Sequence, residues 1–197
     1  MQYNIYIVGV GGQGVISLGQ IIAKYALEKG EKVKFFREVG MAQRGGPVHC
    51  EVRMGEIFGS RIPPLSSDIT VVMELAEGLK TLEYIKPGGN VILNKKKVYP
   101  IDIMTNPKKY PKEDEIIKLL KETKAKIIWV DSAQLASEVG LPIAENIVLL
   151  GVLSFISSFD KELIIKTLRN NTPHEVDKNI AAFNEGYKVA EGMAVSV

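Results

Sequence analysis

Tyr3-Asn4-Ile5-Tyr6-Ile7-Val8-Gly9-Val10-Gly11-Gly12-Gln13-Gly14-Val15-Ile16-Ser17-Leu18 decides the fold. Residues 3–8 are almost wholly apolar, β-branched or aromatic, the composition of a strand buried on both faces, and Gly9 ends it. From Gly14 to Lys29 the period changes. Val15, Leu18, Ile22 and Tyr25 recur at helical spacing, Lys24, Glu28 and Lys29 lie off that stripe, and Gly30 supplies a stop. Residues 32–36 read as a second strand. Strand, glycine turn, helix and strand make a βαβ unit, whose crossover is expected to be right-handed.

Outward from that unit, Val48, Cys50, Val52 and Met54 alternate with His49, Glu51 and Arg53. A period of two marks a strand with one covered face and one face open to solvent or a partner, which places it at a sheet edge. His49, Glu51 and Arg53 then form a surface or interface group, and Cys50 points into the core. Further strands are expected at residues 69–73, 91–93 and 127–130, with helices near 75–84 and 113–124. The end of the chain is helical. Residues 147–156 are apolar except Gly151 and Ser154, as in a buried or interface helix, and Asp160 caps the next one. Thr172, Pro173 and Glu175 have the spacing of a capping box. Beyond them Val176, Ile180, Phe183, Tyr187 and Ala190 form a stripe that must lie on the sheet or on another subunit. The expected fold is α/β: a three-layer, Rossmann-like, mostly parallel sheet with a helical C-terminal extension. No linker interrupts it, so residues 1–197 are read as one domain, with a sheet core to residue 142 and the extension over 143–192.

The chain has 197 residues, 25 Lys and Arg against 23 Asp and Glu, and 46% hydrophobic residues. That balance fits a folded soluble protein and gives no electrostatic footprint for nucleic acid. Cys50 is the single cysteine. It excludes an internal disulfide and an iron–sulfur cluster held by this chain alone, which usually takes four thiolates, and it points to a reducing compartment, the cytoplasm. Residues 1–23 are too polar to span a membrane and lack a signal peptide's basic start. Residues 146–159 fall short of the roughly 20 that a spanning helix needs. No membrane segment is expected.

Two motifs carry chemistry. Gly9, Gly11 and Gly14 match G-x-G-x-x-G between a strand and a helix, where glycines let the backbone approach an anion and the helix start offers N–H groups. Val15 and Ile16 stand where a Walker loop needs Lys and Ser or Thr, so that nucleotidase class is excluded. For NAD, an acid is expected at the end of the second strand. Glu38 lies a few residues late, and Arg37 beside it suits a phosphate better than a ribose. The same glycines also serve strand–helix packing or a contact with another chain. The second motif, residues 38–47, sets Arg44 between Gln43 and the pair Gly45-Gly46. A bidentate donor with backbone freedom suits phosphate or carboxylate. Ligands of open α/β sheets collect at the carboxyl edge from which both loops leave.

With these residues the chain resembles the gamma-type family of 2-oxoacid:ferredoxin oxidoreductases, in GVGGQG, the helix behind it and EVGMAQRGGPVHCEVRMG. Met41-Ala42-Gln43-Arg44-Gly45-Gly46 is most similar to the small subunit of the indolepyruvate branch; the pyruvate and 2-oxoglutarate branches usually carry other residues before the Arg-Gly pair. The likeness continues at Glu74, Asn94, Asp131, Gly140, Asn146, Leu150 and Gly151. Many relatives have a histidine between the equivalents of Val39 and Gly40, which this chain lacks.

The resemblance implies oxidative decarboxylation of an aryl pyruvate. Electrons would pass to ferredoxin and the acyl group to coenzyme A. Thiamine diphosphate, Mg and [4Fe–4S] clusters would sit on a large partner subunit, with ferredoxin reached through the complex. This chain would bind none of them alone and would help seat coenzyme A through Gly9, Gly11, Gly12, Gln13, Gly14, Gln43, Arg44, Gly45 and Gly46. It implies no metal ligand and assigns no catalytic residue. A subunit acting on pyruvate or 2-oxoglutarate, a stand-alone NAD(P) dehydrogenase and a non-catalytic scaffold are the alternatives. Among weaker signals, His49 and His174 have no zinc-ligand spacing. The ten lysines of residues 95–126 read as a solvated face or a landing surface for coenzyme A phosphates or ferredoxin. Glu74 and Asp131 read as helix caps or ligand-orienting acids.

Overall fold

The computed structural model describes residues 2–40, 45–98 and 110–195. Six strands form one sheet in the order β2-β3-β1-β4-β5-β6, from β1 (Tyr3–Val10), β2 (Val33–Val39), β3 (Pro47–Met54), β4 (Ser67–Val72), β5 (Ile85–Asn94) and β6 (Lys126–Val130). β1, β4, β5 and β6 pair in parallel, and β3 runs antiparallel to both β1 and β2. The mostly parallel sheet with a departure at residues 48–54 is therefore present, with one change of position. β3 is inserted between β1 and β2, so β2 holds the edge and β3 lies inside.

The strand alternation sorts side chains onto two faces. Ile5, Ile7, Ile69, Val71 and Ile92 enter the larger core under α1 (Val15–Glu28) and the C-terminal helices, whereas Tyr6, Val8, Val72, Val91 and Leu93 enter a second core that includes Ile116 and Leu120 of α2 (Glu113–Glu122). These are the three layers expected. Within the helical stretch expected near residues 75–84, Ala76–Thr81 form a 3₁₀ helix.

Helix α3 (Ser132–Glu138) leads to α4 (Glu145–Ile156), α5 (Lys161–Asn171) and α6 (Val176–Val195). Asp160 caps α5 by accepting the Leu163 N–H. The expected capping box does not form. The Thr172 hydroxyl donates back to Leu168 O and finishes α5, and α6 starts only at Val176. Helix α4 is buried from Asn146 to Ser154, and α6 is what covers it. Phe183 and Ala190 are buried there, so this part of the stripe faces the chain's own core. The two helices touch backbone to backbone. A Cβ on Gly151 would lie 2.1 Å from Phe183 O, and one on Gly186 would lie 1.9 Å from Val148 O. Only glycine fits either position.

Candidate functional site

The carboxyl ends of β1, β4, β5 and β6 share one edge, and the glycine loop closes it. Gln13 holds that loop in shape. Its Oε1 accepts the Val10 N–H at 2.9 Å, and its Nε2 donates to Met73 O at 3.0 Å, tying the end of β1 to the end of β4. Gly9 has no room for a side chain, because a Cβ would lie 2.6 Å from Gln13 Oε1. Gly14 has φ 79° and lies against Asn146 of α4; a Cβ there would be 2.6 Å from Asn146 Nδ2. Gly12, at φ 99°, is the open position, with nothing within 4 Å of where its Cβ would stand.

The two glycine motifs meet. Gly11 N–H donates to Gly46 O at 2.9 Å, and Gly45 N–H donates to Gly11 O at 3.4 Å. Gly45 takes φ 72° to do so. Gly9, Gly11, Gly12, Gln13, Gly14, Gly45 and Gly46 are thus brought together, while Gln43 and Arg44, between the end of β2 and this junction, lie outside the described residues. The pairing also occupies the Gly11 amide, and Gln13 N–H is taken by Val10 O. The loop therefore offers an anion fewer donors than its glycine count suggests.

Beside the loop lies a cleft of about 520 Å³, lined by Val10, Gly11, Gly12 and Gln13 on one side and by Lys96, Val98, Pro142, Ile143 and Glu145 on the other. A polar chain runs beneath it. Asn94 Nδ2 donates to Met73 O at 3.2 Å, the Ser132 hydroxyl donates to Asn94 Oδ1 at 2.8 Å, and Ser132 Oγ lies 3.3 Å from Glu145 Oε2. Glu145 Oε1 in turn pairs with Lys96 Nζ. Ser132 and Glu145 escaped the sequence reading, and Lys96 entered it only among the ten lysines of residues 95–126. Lys96 is one of three consecutive lysines, and nothing local distinguishes it.

Glu74 and Asp131 act as caps. Glu74 Oε2 accepts the Glu77 N–H of the 3₁₀ helix at 3.1 Å, and Asp131 accepts the Gln134 N–H of α3. Glu74 also accepts from Tyr110 Oη and from Val98 N–H at 3.3 Å, which fixes the segment after β5 that carries Lys96.

The ribose-acid position fails on geometry. With β3 inserted, β2 stands two strand spacings from β1, about 10 Å, and Glu38 turns toward Arg61 Nη1 at 3.7 Å and His49 Nε2 at 3.9 Å. That face of β3 is not open. Arg61 Nε pairs with the buried Glu51 at 2.8 Å, Arg53 Nη1 donates to Gly59 O and Arg61 O, and Glu51 Oε2 accepts the Ile62 N–H. Residues 55–62 are thereby strapped over the sheet. Burial pushes the Glu51 carboxyl up and the His49 imidazole down, and His49 stacks on Tyr6 at 5.3 Å.

Cys50 is buried against α1, where desolvation pushes its thiol up to about 12. One buried, protonated thiol does not fit a cluster. Among the described residues no group of three or more His, Cys, Asp or Glu side chains is placed to hold a metal, and no helix is long and apolar enough to cross a membrane.

The α/β fold of this chain is shared with solved oxidoreductase subunits. The gamma subunit of a keto/oxoacid ferredoxin oxidoreductase from Geobacter sulfurreducens superposes with TM-score 0.71 at 25% identity, covering 96% of this chain and 99% of that one. The pyruvate oxidoreductase subunit PORC of Thermotoga maritima gives 0.73 at 26% identity, over 95% and 96% of the two chains. The model of the pyruvate ferredoxin/flavodoxin oxidoreductase family matches residues 4–189, and the chain belongs to that family. Its relatives include indolepyruvate oxidoreductase subunit IorB of Methanothermobacter thermautotrophicus, 36% identical over 96% of this chain and 98% of that protein, and IorB of Thermococcus kodakarensis, 35% identical over 98% of each.

Proposed function

We propose that this chain is the small subunit of an indolepyruvate:ferredoxin oxidoreductase, and that its single gamma-type domain seats the phosphate groups of coenzyme A at the joined glycine loops. The complex would decarboxylate an aryl 2-oxoacid oxidatively, passing two electrons to ferredoxin and the acyl group to the coenzyme A thiol. Thiamine diphosphate, Mg and the [4Fe–4S] clusters would reside on the large subunit. The residues here support that division, since Cys50 cannot build a cluster. Gly9, Gly11, Gly12, Gln13 and Gly14 would form one wall of the seat and Gln43, Arg44, Gly45 and Gly46 the other, in a cytoplasmic complex.

The observation that carries this reading is the Gly11–Gly46 pairing at 2.9 Å. It brings Gly45 and Gly46, which follow Arg44 in the sequence, against the glycine loop at the edge of the sheet where ligands of such folds collect. Coenzyme A is the anion to test, because the 2-oxoglutarate:ferredoxin oxidoreductase of Magnetococcus marinus, which shares the fold over 97% of this chain at 20% identity with TM-score 0.74, was solved with coenzyme A and succinyl-CoA bound. The test is Arg44→Ala in the assembled complex. The KM for coenzyme A should rise roughly 10-fold or more, the loss of one charge-assisted contact, while the subunits stay associated. Unchanged kinetics would reduce the loop to a structural turn.

A further inference from the structure

Among the described residues, the cleft beside the glycine loop carries one cation and one anion, and they face each other. Lys96 Nζ contacts Glu145 Oε1, with the two side chains 37% and 15% exposed, and both line the cleft with Gly11 and Gly12. The two partners are held very differently. Glu145 opens α4 and is fixed from behind by Ser132, which is fixed by Asn94, which bonds the same Met73 carbonyl that anchors Gln13. Lys96 ends a flexible four-carbon stem. Among the described residues lining the cleft it is the one cationic side chain. A partly exposed lysine–carboxylate pair contributes little stability, so the ammonium changes partner at small cost. A phosphate offers more charge and more acceptor oxygens than the carboxylate it would replace.

We infer that Lys96 and Glu145 form an exchangeable ion pair, in which Glu145 parks the ammonium over the cleft until a phosphate group of the entering acyl acceptor takes it over. The inference rests on the coenzyme A seat proposed above and adds to it a residue from the segment after β5 and a competing carboxylate from α4. Glu145 makes the empty cleft electrically neutral and repels anions that cannot engage Lys96. The pair thereby selects for phosphate esters over small carboxylates.

The experiment is calorimetric binding of coenzyme A, and separately of pantetheine, which lacks the phosphates, to the purified complex. Wild type, Lys96→Met and Glu145→Gln are compared, each checked for an unchanged thermal midpoint. Lys96→Met should weaken coenzyme A roughly 10-fold and leave pantetheine unchanged. Glu145→Gln keeps the contact with Ser132, frees the ammonium and should tighten coenzyme A several-fold. Two results overturn the exchange while leaving the seat standing: equal coenzyme A affinity in wild type and Lys96→Met, or equal weakening in both variants. A wild-type complex that binds no coenzyme A overturns the seat and the exchange together.

Discussion

Gly151→Ala sets helix propensity against packing, and the two predict opposite signs. Inside an isolated helix the change is favourable by about 1 kcal/mol. In this fold the new Cβ would lie 2.1 Å from Phe183 O and 2.7 Å from Tyr187 N. Both are backbone atoms of α6 and cannot rotate away. Moving the carbonyl contact out to even 3.0 Å, the shortest distance real Cβ atoms show, requires 3.0 − 2.1 = 0.9 Å of separation between α4 and α6. Forced separations of this kind cost about 1–3 kcal/mol, and a shift approaching 1 Å across a packed interface puts this one at or above the upper end. After the propensity gain, the net loss is about 2 kcal/mol. For a chain of this size that lowers Tm by about 4–8 °C. Gly192→Ala is the control, since it lies in α6, the helix that packs on α4, and a Cβ there meets nothing within 4 Å; it should leave Tm unchanged or raise it slightly. Thermal and urea unfolding of the isolated subunit read both. A Gly151→Ala variant as stable as wild type would refute the backbone contact and return α6 to the role of a partner-facing helix.

Other outcomes follow from the same contacts. Phe183→Asp, which buries a charge in the larger core, should cost more than 3 kcal/mol and unfold the small subunit; a folded monomer that merely loses its partner would contradict the core placement. Gln13→Ala strips Val10 N–H and Met73 O of a partner and should cost about 1–3 kcal/mol, with a raised KM for coenzyme A in the complex; unchanged values for both would show that the loop holds its shape without the side chain. With its thiol pushed up to about 12, Cys50 should stay unmodified by thiol reagents at neutral pH until urea unfolds the chain; rapid labelling of the folded protein would contradict its burial. His49 has its pKa lowered below the ordinary 6.5 by burial. The unfolded chain therefore binds more protons below pH 6.5, and stability falls as pH drops from 6.5 through the folded value. Glu51, raised by burial, slopes the opposite way above 4.5. The difference between wild type and His49→Phe isolates the histidine, and an equal pH dependence in the two would remove it from the account.

Much of this fold is legible in local patterns. The apolar run of residues 3–8 and the helical stripe Val15, Leu18, Ile22 and Tyr25 specify β1 and α1 because burial alone dictates them. The alternation at Val48, Cys50, Val52 and Met54 correctly marks a strand that departs from the parallel order. It mislocates that strand because one covered face does not reveal what covers the other. Arg61, ten residues beyond Glu51, does so here through an ion pair no local pattern announces. The capping box at Thr172 failed for a related reason: the hydroxyl that would accept an N–H at the start of α6 instead donates to Leu168 O, already in place at the end of α5. The joined glycine loops were half legible. Each motif is visible in the sequence, but their contact depends on β3 threading between β1 and β2. Lys96 and Glu145 are 49 residues apart and meet only because α4 begins at the carboxyl edge of β5. The glycine pair 151 and 186 is equally remote, and only the crossing of α4 and α6 gives it meaning.

The central claim is that this chain is an incomplete enzyme whose glycine rim completes a partner's pocket. The direct measurement is indolepyruvate- and coenzyme A-dependent ferredoxin reduction by the isolated chain, by its large partner alone, and by the two mixed. The account predicts full activity only for the mixture and no nicotinamide-dependent turnover by the isolated chain. Robust oxidation or reduction of a nicotinamide substrate by the 21.7 kDa chain alone would contradict it.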